Sequence, residues 1–179
     1  MEEDVLSWLL EKENPSARYL TLKHLLGKKE KESEVCESQK AIRHMKQISL
    51  IFEKQTPEGF WGREDSPYLP KYKSTYWTLM LLAQLGLERD ERIENACEYI
   101  FNFQKEHGGF VASWKEGISI PCLTGNVLIF LHQFGFAEDD RTKKAVNYLC
   151  KTQMSDGGWV CHEWKSHSRD EHGCFQGTV

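Results

Sequence analysis

Two stretches of this chain repeat one another at a spacing of 49 residues, without a gap. LGLERDERIENACEYIFNFQ ends at Gln104 and FGFAEDDRTKKAVNYLCKTQ ends at Gln153. Gly86, Arg92, Ala96, Tyr99 and Gln104 recur in register as Gly135, Arg141, Ala145, Tyr148 and Gln153. A glycine-aromatic turn follows each glutamine, Gly109-Phe110 in one copy and Gly158-Trp159 in the other. A weaker copy precedes them, with Gln55 followed by Gly59-Phe60-Trp61. Self-similarity at such a period signals one supersecondary unit stacked on itself, each unit burying its apolar face against its neighbours.

Each unit holds two helices of different character. In segment 91–104, Ile93, Ala96, Cys97 and Ile100 fall three and four apart, with Glu91, Arg92, Glu94 and Glu98 opposite them. Segment 141–153 repeats this with Ala145, Val146, Leu149 and Cys150. Both patterns predict an amphipathic helix with one flank in water, and they place Cys97 and Cys150 in the core as small apolar residues. The partner segments, 74–85 and 122–134, are apolar nearly all round, which predicts helices buried on every side. Gly86 and Gly135 close them where a left-handed cap is favoured. Fully buried inner helices alternating with half-exposed outer ones predict an all-α, two-layer ring: an α/α toroid, here an incomplete barrel.

The N-terminal part is less regular. Residues 4–11 and 16–26 read as a short helical hairpin turning at Asn14-Pro15, with Pro15 at the first helical position, where its missing N–H costs nothing. Residues 28–34, KKEKESE, read as a charged linker, and one longer helix is expected from about 36 to 55. The chain therefore divides into residues 1–34, a hairpin with its linker, and residues 35–179, the toroid repeats. The last of these breaks off as a further inner helix begins, so self-association through the open ring edge is expected.

Composition removes several classes. A net charge of −4 provides no basic footprint for nucleic acid. The longest apolar run, around Val127 to Leu131, is too short for a membrane span. Met-Glu-Glu-Asp lacks the basic and apolar regions of a signal peptide, so the expected location is cytoplasmic. In that setting the six cysteines read as thiols and not as a disulfide scaffold.

From Ala145 to Trp159, AVNYLCKTQMSDGGW resembles the QW repeat of squalene and oxidosqualene cyclases and the related repeat in the β-subunits of protein prenyltransferases. Tyr148, Gln153, Gly158 and Trp159 carry the resemblance, echoed at Tyr99, Gln104, Gly109 and Phe110. It covers roughly residues 40 to 179 and implies an (α/α)6 barrel. The repeat residues themselves read as structural: the glycines permit a tight turn, and the aromatic that follows packs on the next hairpin.

The resemblance also implies two kinds of chemistry, and neither motif is present. Cyclases of this family protonate an alkene or epoxide with the middle aspartate of a DxDD string. The nearest string here, Ala137-Glu138-Asp139-Asp140, does not match, and it opens an outer helix, where carboxylates suit the positive end of the helix dipole. Protein prenyltransferases hold a catalytic zinc with an Asp and a Cys in a D-x-C pattern and a distant His. Here Ile120 stands two before Cys122, and His172 two before Cys174.

A different metal set is nevertheless conceivable from residue types alone. Cys122-Leu-Thr-Gly125 and Cys174-Phe-Gln-Gly177 both open inner helices, where thiols are acidified. With Cys161, His162, His167 and His172 they give three Cys and three His between residues 122 and 174, the N/S donors that Zn2+ favours. Cys122, Cys161, His162, His172 and Cys174 are the candidate ligands. The alternative is buried thiols beside exposed loop histidines.

Aromatic residues form the second candidate cluster. Trp61, Tyr68, Tyr72, Tyr76 and Trp77 lie on the connection into one inner helix, and Trp114 and Trp164 on the corresponding later connections. Such rings stabilise cations and line apolar cavities; equally, they plug the end of a helical barrel. Tyr76, Trp77, Trp114 and Trp164 are the candidate substrate-binding residues. Gly125 and Gly177, in first helical turns, suggest close approach of a ligand or backbone. Three functions stay open: a prenyltransferase- or terpene-cyclase-like protein with an isoprenoid-type apolar small molecule in the ring cavity, a zinc-binding enzyme of unrelated chemistry, and a non-catalytic binding module.

Overall fold

The computed structural model describes residues 2–115, 117–160, 173 and 178. The described residues hold α1 (Glu2–Leu9), α2 (Pro15–Leu20) running on as a π-helical segment (Thr21–Leu25), α3 (Ser33–Ile42) and α4 (Lys46–Phe52). These are followed by α5 (Thr75–Gln84), α6 (Glu91–Phe101), α7 (Pro121–Gln133) and α8 (Asp140–Thr152). No β-strand occurs among these residues. The inner helices α5 and α7 pack side by side, with α6 against α5 and α8 against α7, which gives the two-layer order of an α/α toroid.

The repeat spacing becomes a set of repeated contacts. The side-chain amide of Gln55 donates to the carbonyls of Gly59 in its own turn and Arg92 on the next outer helix. Gln104 does the same to Gly108 and Arg141. The guanidinium of Arg92 lies 4.2 Å from the Phe52 ring centroid and that of Arg141 3.7 Å from Phe101, a cation–π contact repeated from one outer helix to the next. The aromatic of each turn is fixed by the next inner helix: the N–H of Trp61 donates to Thr75 Oγ1 and that of Phe110 to Thr124 Oγ1, both at 3.0 Å. Phe60 also stacks on Tyr99 of the next outer helix, with centroids 4.9 Å apart.

Glycine is needed in these turns for space as well as for conformation. Gly108 has φ +104°, and a Cβ there would stand 2.2 Å from the Lys144 carbonyl oxygen on α8. Gly59 takes the same place against Asn95 on α6. The caps at Gly86 and Gly135 have φ of +80° and +79°, as the sequence predicts. Gly27, with φ +61°, closes the N-terminal helix in the same manner.

Four expectations are corrected. The helix expected from 36 to 55 is two helices, α3 and α4, broken at Arg43–Met45. Ile42 and Ile48 are both fully buried, and at 100° per residue a continuous helix would turn them about 120° apart; the break brings both to the core. The charged linker is shorter than expected, because α3 begins at Ser33. The inner helices are not covered all round: Leu81 on α5 is 45% exposed and Ile129 on α7 is 56% exposed. Finally, Cys97 is buried but Cys150 lies exposed on α8.

Candidate functional site

Several aromatic side chains come together where the 62–74 connection meets α4 and α5. Trp77 and Leu81 stand one turn apart on α5, so both project from the same flank. Across from them, Leu50 and Ile51 of α4 form the second wall, and Trp61, Pro70 and Tyr72 the floor and rim of a cleft of about 450 Å³. A cleft of this size and lining suits a small apolar molecule.

Trp77 is fixed within that wall. Its indole N–H donates to the Tyr68 carbonyl at 2.9 Å, and Tyr68 and Tyr72 place their ring centroids 5.3 and 4.8 Å from its own. The indole faces are thus held at tilted angles by neighbours instead of turning freely. Trp61 is held likewise, its indole N–H donating to the Ile51 carbonyl at 2.8 Å and its backbone N–H to Thr75. Tyr72 is exposed and has φ +65°, an uncommon backbone state for a bulky residue.

The other candidate residues fall elsewhere. Tyr76 is buried in the core, where its hydroxyl donates to the Val111 carbonyl at 3.1 Å. Burial raises its pKa well above the ordinary phenol value. Trp114 is about half exposed and stacks on Phe103, centroids 5.4 Å apart. Its backbone N–H donates to the Asp65 carbonyl and joins successive connections, so it braces neighbouring loops and does not line the Trp77 cleft. Cys122 is half-buried at the second position of α7. Cys161, His162, Trp164, His167, His172 and Cys174 lie outside the described residues. Among the described residues, no three His, Cys, Asp or Glu side chains gather as a metal-binding group.

Two further sequence readings are settled by contacts. Asp139 caps α8, its carboxylate accepting from the Arg141 backbone N–H at 2.8 Å and from the Arg141 guanidinium. Those bonds hold its carboxyl below the usual carboxylate range, the opposite of what a proton-donating acid needs. Gly125 has no close neighbour, since a Cβ there would meet Leu149 Cδ1 at 4.0 Å; no tight approach explains that glycine. What the sequence reading missed is the contribution of α4. Leu50 and Ile51 are remote from Trp77 in sequence, and no local pattern couples them to it.

The family model of the squalene-hopene cyclase C-terminal domain matches residues 14–160. No curated protein matches the chain.

Proposed function

The chain belongs to the squalene-hopene cyclase C-terminal domain family, and from that membership and the aromatic cleft we propose a terpene-cyclase- or prenyltransferase-like protein that holds an isoprenoid-type apolar molecule. The observation that carries this reading is the cleft itself: Trp61, Tyr72 and Trp77 with Leu50, Ile51 and Leu81 around about 450 Å³. Branched, unsaturated chains gain by leaving water for such a surface, at about 25 cal/mol per Å² of apolar area buried. The electron-rich faces of Trp61 and Trp77 also favour positive charge developing along a polyene.

The reading stops at binding and orientation. The sequence contains neither a DxDD string nor a D-x-C pair, so no protonation or metal-assisted step is assigned to these residues. Farnesol, titrated against the full chain and followed by tryptophan fluorescence, tests the proposal. Saturable quenching is expected, weakened about tenfold in Trp77→Leu and unchanged in Trp114→Ala, whose ring stands outside the cleft. Equal affinity in the parent and Trp77→Leu, with helicity intact by circular dichroism, would remove the cleft as the binding site.

A further inference from the structure

The turns that follow Gln55 and Gln104 differ at two positions in register: Phe60 of the first is Gly109 in the second, and Glu58 is His107. In the first unit the Phe60 ring stacks on Tyr99, with centroids 4.9 Å apart and planes at 24°. In the second no ring can come from position 109, because a Cβ there would stand 2.5 Å from Ser119 Cβ and 2.8 Å from Tyr148 Cζ. The His107 imidazole stacks on Tyr148 instead, at 5.0 Å and the same 24°. The aromatic partner of the repeat tyrosine has thus moved from a buried place in the turn to an exposed one at its edge.

That exchange borders a second cavity, of about 400 Å³, between the 102–120 connection and the C-terminal half of α8. His107 and Tyr148 line it together with Ile118, Met154 and Val160, and none of its described lining residues is Asp, Glu, Lys or Arg. The hollow at the equivalent place in the earlier unit, beside Tyr99, carries Glu58 and Glu98. A charged ligand would leave water here without a counter-charge, whereas a neutral one needs none. The polar groups present are donors. His107 Nδ1 accepts from the Gly109 N–H at 3.2 Å, so the proton of the neutral ring sits on Nε2, at the edge turned away from that main chain. Nε2 has no partner among the described residues. Ser119, which also lines the cavity, is 7% exposed, and its Oγ is buried without a hydrogen-bond partner among the described residues. A buried hydroxyl in that state is costly until an acceptor is supplied.

We propose that this cavity is a second binding site, separate from the Trp77 cleft, for a small neutral aromatic molecule that carries a carbonyl oxygen. Its ring packs beside the His107–Tyr148 pair and against Ile118 and the Met154 thioether, contacts that favour a planar π face over a saturated ring. Its oxygen accepts from the His107 Nε2–H. The site is independent of what the Trp77 cleft holds.

Three probes of similar size separate the parts of the proposal: acetophenone, ethylbenzene without the oxygen, and acetylcyclohexane without the aromatic ring. Their dissociation constants for the full chain are measured by ligand-observed NMR. Acetophenone is expected to bind about tenfold more tightly than either of the others, the difference that one hydrogen bond or one ring contact supplies. His107→Phe keeps the ring and removes Nε2–H, so acetophenone falls to the affinity of ethylbenzene while ethylbenzene is unaffected. Ile118→Trp fills the cavity from its rim and abolishes binding of both. His107 and Ile118 are exposed, so both variants are expected to keep the parent's helicity by circular dichroism. Equal affinity of the parent for acetophenone and ethylbenzene overturns the hydrogen bond, and equal affinity for acetophenone and acetylcyclohexane overturns the aromatic contact; either defeats the proposal. Acetophenone binding that survives unchanged in both variants places the ketone elsewhere and overturns it too, as does a folded parent that binds none of the three.

Discussion

Gln104 and Arg141 are joined by a hydrogen bond of 2.8 Å from a side-chain amide to a main-chain carbonyl 37 residues further on. Gln55 and Arg92 repeat the bond at 2.9 Å and the same separation. The glutamine thus closes its own turn and fixes where the next outer helix begins, so one residue type sets the spacing between units.

Removal of that amide should therefore cost more at Gln104 than at Gln153. Gln104 is half-buried and donates to both Gly108 and Arg141, whereas Gln153 is exposed and donates to Gly157. Gln104→Ala is expected to lose about 1–2 kcal/mol, the usual cost of leaving part-buried carbonyls unsatisfied. Gln153→Ala should stay within about 0.5 kcal/mol of the parent. Urea unfolding of the two variants checks this, and equal losses would mean that the inter-unit bond adds nothing.

Turn glycines should separate in the same way, according to what a Cβ would meet. Gly108→Ala imposes both a left-handed backbone and a collision with the α8 main chain at Lys144, and about 3 kcal/mol of destabilisation is expected. Gly27 is left-handed too, but nothing lies within 4 Å of a Cβ there. Gly27→Ala should cost only the backbone penalty, about 1 kcal/mol. Thermal unfolding followed by circular dichroism distinguishes the two, and a Gly108→Ala melting temperature as high as that of Gly27→Ala would refute the packing argument.

These contacts explain why the fold was readable in sequence and the site much less so. Gln104, Gly108, Phe110 and Arg141 act at fixed separations, so the physics that joins the units leaves a periodic trace. The cap at Asp139 was equally local, because a carboxylate opening a helix bonds N–H groups within its own first turn. The cleft has no such period. Trp77 meets Tyr68 and Tyr72 across a connection, and Leu50 arrives from α4. Tyr76 looked equivalent to Trp77 in sequence, yet neighbouring helical positions differ by 100°, which sends one ring to the core and the other to the cleft. The break between α3 and α4 was hidden for a related reason: residues 36–55 have helical composition throughout, and only the shared burial of Ile42 and Ile48 requires the chain to bend.

Thiol reactivity should reveal the same difference between local pattern and packing. Cys97 and Cys150 belong to helices with matching patterns, but Cys97 is fully buried and Cys150 exposed. Burial also pushes the Cys97 thiol pKa up, which further suppresses the nucleophilic thiolate. A maleimide pulse on folded protein, read by peptide mass spectrometry, should modify Cys150 within minutes and leave Cys97 intact until denaturant is added. Early labelling of Cys97 would show that the α5–α6 interface opens readily.

The cap of α8 should make stability depend on pH in acid. Hydrogen bonding to Arg141 lowers the Asp139 pKa in the folded chain, whereas in the unfolded chain it takes the ordinary aspartate value of about 3.9. A group depressed on folding contributes stability that is fully present above its unfolded pKa and is lost as pH falls through the folded one. Asp139→Asn should accordingly be less stable than the parent at neutral pH, with the gap constant down to about pH 5 and closing below about pH 4. Urea midpoints of both proteins across that range provide the measurement. A gap that persists undiminished in strong acid would mean that the asparagine disturbs the helix start sterically and that the Asp139–Arg141 charge pair adds no stability of its own.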